Sequence, residues 1–172
     1  MRFIALLRAI NVGGHTVRMA ELRRHFEALP LADVDTFIAS GNVAFHARAR
    51  SARKLEARIE RHLRGALGYD VATFLRTVDE LAAIAALQPF TAPTSYIVFL
   101  REPPGRAAER AVLDLRNPID DLALHGREVH WHCNTSLRDS QVSGARIETA
   151  VRGPATVRNF NTIRRLVERF GP

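Results

Sequence analysis

The stretch Arg2-Phe3-Ile4-Ala5-Leu6-Leu7-Arg8-Ala9-Ile10-Asn11-Val12-Gly13-Gly14 decides the fold. Residues 2–7 are a short apolar run behind one charge, and the run ends in a polar loop whose two glycines accept positive φ. That is a strand followed by a turn. Downstream, Met19, Leu22, Phe26 and Leu29 fall at helical spacing and Pro30 ends them, so the pattern predicts an amphipathic helix over 19–29. Val34–Ile38 and Val43–His46 are rich in β-formers, and Ala39-Ser40-Gly41-Asn42 between them is a hairpin signal. Ser51 is placed to cap a helix in which Leu55, Ile59, Leu63 and Leu67 recur every fourth residue, with Gly68 ending it in the left-handed conformation. Val71–Arg76 returns as a strand. The order β-α-β-β-α-β is the ferredoxin-like arrangement, two helices on one face of a four-stranded antiparallel sheet.

The rest of the chain partly echoes this pattern. Thr77-Val78-Asp79-Glu80 is a capping box that opens a helix to about Leu87, with Pro89 and Pro93 stopping it. Ser95–Leu100 is a β-rich run, Ala107–Leu115 has helical spacing closed by Pro118, and Leu122–His125 and Glu128–His132 flank the turn Gly126-Arg127. A helix is expected over Val142–Val151. Phe160, Ile163, Leu166, Val167 and Phe170 mark an amphipathic C-terminal helix with Thr156 as its cap. The expected fold class is therefore α+β. A ferredoxin-like subdomain over 1–77 packs with a second, related α+β subdomain over 78–172, whose last helix packs back on the first.

Composition narrows the class further. Hydrophobic residues at 47% and charged residues at 25% are ordinary for a globular protein and exclude a disordered or fibrous chain. There is no apolar run long enough for a membrane span, and Arg8 interrupts the first run too early for a signal peptide, so a cytoplasmic location is expected with no membrane partner. Cys133 is the only cysteine, which rules out an internal disulfide and the Cys-x-x-Cys redox and zinc patterns. The formal charge of +7 favours anionic partners. Every basic residue but Lys54 is arginine, a bias that suits phosphate or carboxylate recognition and that GC-rich coding would equally produce.

Three polar segments stand beside expected strand or helix ends: Arg8-Ala9-Ile10-Asn11-Val12-Gly13-Gly14, Ser40-Gly41-Asn42 and Thr156-Val157-Arg158-Asn159-Phe160-Asn161-Thr162. Here the chain resembles the bacterial domain-of-unknown-function family 1697, whose members read LLRGINVGG, then SGN, then RNWxT near the C-terminus. The resemblance covers essentially the whole chain. It implies an α+β fold built around ferredoxin-like halves and no established biochemical activity. The chain departs from that pattern at Ala9, where glycine is usual, at Phe160, where tryptophan is common, and at Gln141, where a Ser-Lys pair often stands.

Read physically, the segments suit a small anionic ligand bearing phosphate or carboxylate. Gly13 and Gly14 let backbone N–H groups approach an anion, Asn11 can bridge, and Arg8 supplies a cationic fork. Arg158 and Asn159 are expected in the first turn of the last helix, where free N–H groups and the helix dipole favour negative charge. The candidate ligand-binding set is Arg8, Asn11, Gly13, Gly14, Ser40, Asn42, Arg158, Asn159 and Thr162. The same residues would serve equally as a clasp with no ligand, the asparagines satisfying loop backbone groups and the C-terminal pair tying the helix to the first loop. Neither a Walker loop nor a Rossmann fingerprint is present.

Other constellations are weaker. His130 and His132 share a strand face, yet no further ligand is spaced to complete a metal shell, so neither a metal nor a cofactor is expected. Cys133 lacks a base and an orienting residue, and Asp120-Asp121 reads as a turn pair, so no catalytic constellation emerges. RNA binding is the alternative function, supported by the basic balance and the topology. Against it, the central strands offer only Phe3 and Phe45 where base-stacking modules carry aromatic platforms.

Overall fold

The computed structural model describes residues 1–11, 13–87 and 94–171, so Val12 of the glycine loop and the helix stops Pro89 and Pro93 lie outside the described residues. The chain divides into two units, Met1–Ala83 with Leu166–Pro172, and Ile84–Arg165. Each contains a four-stranded antiparallel sheet.

In the first unit the elements are β1 Arg2–Leu7, α1 Met19–Glu27, β2 Ala32–Phe37, β3 Asn42–His46, α2 Ala52–Leu67 and β4 Thr73–Thr77, with sheet order β2-β3-β1-β4. On β1 the odd residues Phe3, Ala5 and Leu7 join Leu22 and Phe26 of α1 and Leu55, Ile59 and Leu63 of α2 in one apolar cluster. The even residues Ile4 and Leu6 are fully buried as well. A strand buried on both faces needs an unbroken apolar run, which is why β1 does not alternate. Phe45 lies opposite Phe3 in register and packs between it and Phe26, with ring centroids 6.0 and 5.8 Å apart. Burying one such ring stabilises the fold by about 1.5–3 kcal/mol.

Local signals are realised as expected. The Ser51 hydroxyl accepts from the Lys54 amide at 3.3 Å, and Gly68 ends α2 at φ 81°. The capping box closes on both sides: Thr77 N donates to Glu80 Oε2 at 2.7 Å and Glu80 N to Thr77 Oγ1 at 3.1 Å, opening α3 Val78–Ala86. The outer edge of β4 is covered from α2. Glu56 Oε1 accepts from Leu75 N at 2.8 Å, and Glu60 Oε1, one turn on, accepts from Thr73 N at 2.9 Å.

The second unit contains β5 Ser95–Leu100, α4 Arg106–Leu113, β6 Asp120–His125, β7 Glu128–Cys133, α5 Gly144–Val151 and β8 Ala155–Asn159, ordered β6-β7-β5-β8. Val98, Leu100, Val112, Leu122, Val129, Trp131 and Ile147 form its core. Glu148 of α5 accepts from Ala155 N at 2.8 Å, the same carboxylate-on-edge device as in the first unit.

Strand β8 corrects the sequence reading. Thr156 was expected to cap the last helix, with Arg158 and Asn159 in its first turn. They instead pair with β5, Thr156 opposite Phe99 and Arg158 opposite Ile97, and α6 Phe160–Phe170 begins only afterwards. Val157 and the buried Thr156 gain more from a ladder place than from a cap, and Asn159 takes the capping role, its Oδ1 accepting from Asn161 N at 2.9 Å. With β8 in place the second unit repeats β-α-β-β-α-β. The end of α6 is part of the first unit, and within that unit Phe170 meets Phe37 edge-on at 6.1 Å, Arg2 Nη1 donates to Phe170 O at 3.0 Å, and Arg169 pairs with Asp35 at 2.8 Å.

Candidate functional site

The loop after β1 and the β2–β3 turn are built against each other. Leu7 N donates to Gly41 O at 2.9 Å and Arg8 N to Ala72 O at 2.8 Å, gripping the root of the loop from both sides. Asn11 then joins the two segments: its Nδ2 donates to Ala39 O at 3.3 Å while its Oδ1 accepts from Val17 N at 2.7 Å. Gly41, at φ 73°, is required, because a Cβ there would stand 2.8 Å from Ile10 Cγ2. Asn42 is fully buried and donates to Phe37 O at 3.1 Å and to Ser40 Oγ at 2.7 Å. Asn11 and Asn42 thus hold backbone in place. Because Ser40 Oγ accepts from Asn42, its own hydroxyl proton is directed elsewhere.

Arg8, Gly13, Gly14 and Ser40 are exposed. Gly13 and Gly14 hold φ of 64° and 84°, with open space where a Cβ would project. Two non-glycine residues in these segments also take positive φ, Ala9 at 57° and Ile38 at 50°. A β-branched residue there is a true outlier, and left-handed backbone costs an L residue about 1–2 kcal/mol. Tyr69 steadies the loop, its hydroxyl donating to Ile10 O at 3.0 Å while its ring stacks on His15 at 3.9 Å. Ile38 reads in the sequence as the end of a strand, and neither His15 nor Tyr69 is marked there as part of the loop. The first two carry no turn or stacking signal, whereas the Gly68-Tyr69 pair after α2 was a hint that an aromatic resumes packing there.

The remaining candidates, Arg158, Asn159 and Thr162, belong to the second unit. Arg158 is buried, donates from Nη1 to Thr156 Oγ1 at 2.8 Å and to Val157 O at 2.9 Å, and has its pKa pushed down to about 10 by burial, which leaves it cationic at neutral pH. Asn159 is occupied as the α6 cap, and Thr162 is half-buried on that helix.

Other groups flagged in the sequence have structural employment. Burial raises the Asp120 carboxyl, but hydrogen bonds from Ser140, Trp131, Asn117 and Gln141 outweigh it and hold the group below the usual range. Asp121 pairs with Arg116 at 3.1 Å. His132 is engaged by Thr94 O and Asn134 Oδ1, and the Cys133 thiol lies against the Thr135 and Ser136 carbonyls. His130 is buried, with no partner for Nε2 among the described residues, and burial together with His125 lowers its pKa to about 4. Among the described residues no group of three or more His, Cys, Asp or Glu could hold a metal ion. Phe3 and Phe45 are core residues rather than an exposed platform. No helix among the described residues is long and apolar enough to cross a membrane.

Two β-α-β-β-α-β units, the first with a glycine loop locked to its hairpin turn, define a doubled ferredoxin-like α+β protein. The model of a family described as "Protein of unknown function (DUF1697)" matches residues 1–130, and the chain belongs to that family. It is also similar in structure to the conserved bacterial protein SP0830 from Streptococcus pneumoniae, with a TM-score of 0.76 at 21% identity, over 99% of this chain and 98% of that one. At that identity the likeness speaks for the fold alone. No curated protein matches the chain.

Proposed function

We propose that the first unit binds a small anion, phosphate- or carboxylate-bearing, at the exposed rim formed by Arg8, the Gly13-Gly14 backbone and Ser40. The observation that carries this reading is the strain in the two abutting segments. Ala9 and Ile38 hold left-handed backbone beside three glycines that do the same. Strained loops persist where the surroundings over-determine them, and they concentrate at ligand sites. The hydrogen bonds of Asn11 and Asn42 supply that over-determination, and Arg8, Gly13, Gly14 and Ser40 are exposed beside them.

A thermal-shift titration with inorganic phosphate, a nucleoside monophosphate and a small dicarboxylate tests it. A ligand at tenfold its Kd contributes about 1.4 kcal/mol, a rise of roughly 3–6 °C for a chain of this size. Ser40→Ala and Arg8→Ala should each remove most of the rise. If no anion shifts the transition, or the shift survives both substitutions, the reading fails.

A further inference from the structure

A cavity of the first unit lies at the end of its sheet opposite the glycine-loop rim, where β1 and β2 begin and β3 ends, since Arg2 and Ala32 both stand opposite His46 in register. It is open to solvent and has a volume of about 540 Å³, within the range of small-molecule pockets. Its lining is divided by chemistry. Pro30, Leu31 and Ala47 supply apolar wall, while Arg48, Arg58 and His46 supply cationic or hydrogen-bonding groups.

Two local features leave these cations facing the space. The β2–β3 register slips between Ala32 and Asp35, inserting one extra residue into β2, and Asp33 at that bulge takes φ 51°. The bulge turns the Asp33 carboxylate onto His46, Oδ2 to Nδ1 2.9 Å, so the nearby acid is spent on the histidine. On α2 the acids flanking Arg58 are spent on β4, Glu56 on Leu75 N and Glu60 on Thr73 N. Among the described residues no acidic side chain lines the cavity, whose polar lining includes Arg48, Arg58 and His46.

We infer that this cavity is a second binding site, for a small organic anion with an apolar body: a carboxylate or phosphomonoester carrying an aliphatic or aromatic group. Guanidinium groups take the charged head bidentately, and the proline, leucine and alanine wall takes the body. Such a site prefers the amphipathic anion over inorganic phosphate and over the uncharged body alone, which distinguishes it from the glycine-loop rim.

The test is an NMR titration of the full chain with phenyl phosphate, inorganic phosphate and phenol, following backbone amides. Phenyl phosphate should bind at least tenfold more tightly than either other probe and shift the Leu31, His46 and Ala47 amides. The Arg48→Ala/Arg58→Ala variant should lose at least tenfold in affinity. Arg8→Ala should leave these shifts unchanged, separating this cavity from the other site. Arg50→Ala/Arg61→Ala removes the same charge from the exposed surface and controls for general attraction. Equal affinity for the three probes, unmoved amides at Leu31 and Ala47, or equal losses in the two double variants would overturn the inference.

Discussion

Replacing Glu56 tests how the first sheet is closed at its β4 edge. The side chain is 1% exposed, its Oε1 accepts from Leu75 N at 2.8 Å, and its Oε2 lies 3.5 Å from the half-exposed Arg53 Nη1. Glu56→Ala removes the acceptor, orphans the Leu75 amide under α2 and empties the space of the side-chain stem. A hydrogen bond to a charged acceptor contributes about 1.5–3 kcal/mol, and a buried methylene about 0.8 kcal/mol. The exposed Arg53 partner adds little. The expected loss is about 3 kcal/mol for Glu56→Ala and about 1 kcal/mol for Glu56→Gln, which keeps a carbonyl acceptor and the volume. Urea denaturation followed by circular dichroism reads the totals. Native-state hydrogen exchange reads the cause: Leu75 should lose protection by more than tenfold in Glu56→Ala while Thr73, held by Glu60, changes less. If Glu56→Ala stays within about 0.5 kcal/mol of the parent with Leu75 still protected, the carboxylate is not what closes that edge.

Two further outcomes follow from the backbone and from burial. Ala9→Gly relieves a left-handed residue at φ 57° at a saving of about 1–2 kcal/mol, offset by about 0.5–1 kcal/mol of extra unfolded-state freedom. A melting temperature raised by roughly 2–4 °C is expected, and a lowered one would mean that the Ala9 methyl makes contacts that outweigh the strain. His130, with its ring 5.2 Å from His125 and a pKa near 4 against an ordinary 6.5, is held neutral in the fold. Between those values the unfolded chain binds the extra proton, so stability rises with pH across that window and is lost on acidification. The contribution is roughly 2 kcal/mol once solvent screening is allowed for. His130→Phe should flatten that part of the stability-against-pH curve, and an unchanged slope in the variant would assign the acid sensitivity to other groups.

The sequence carried the first unit well because its signals are local and agree. Arg2–Leu7 has the only composition a doubly buried strand tolerates, Ser51 and Gly68 bracket α2 with matching cap chemistry, and Thr77 and Glu80 close a reciprocal box. The second unit was less legible where tertiary pairing decides. Thr156-Val157-Arg158 has neither the length nor the alternation of a strong strand, and only its ladder with β5 makes it one. The same limit applied to the site. Glycines and asparagines announced the loop, but a sequence shows that Asn42 is polar without showing that its amide is wholly used by Phe37 and Ser40. The departure at Ala9 was visible as a missing glycine, and the structure gives it meaning as a positive φ.

The basic balance also takes on a different sense once the acids are located. Glu56, Glu60, Glu80, Asp120 and Glu148 each accept from a backbone amide, of Leu75, Thr73, Thr77, Gln141 and Ala155 respectively. Carboxylates employed in this way close strand edges, open a helix and tie down a loop, and of the five Glu56 also pairs with an α2 arginine, Arg53 at 3.5 Å. Part of the positive surface therefore arises from acids committed to backbone amides, of which Glu56 and Asp120 are buried. A field of that origin is spread over the unit and attracts anions generally, without selecting where they settle. On the reading proposed above, selection comes from shape: the rim at Arg8 and Ser40 beside the left-handed Ala9 and Ile38, and the half-apolar cavity at Arg48 and Arg58. Charge-matched substitutions outside both places are accordingly the control that separates binding at a site from attraction to a surface.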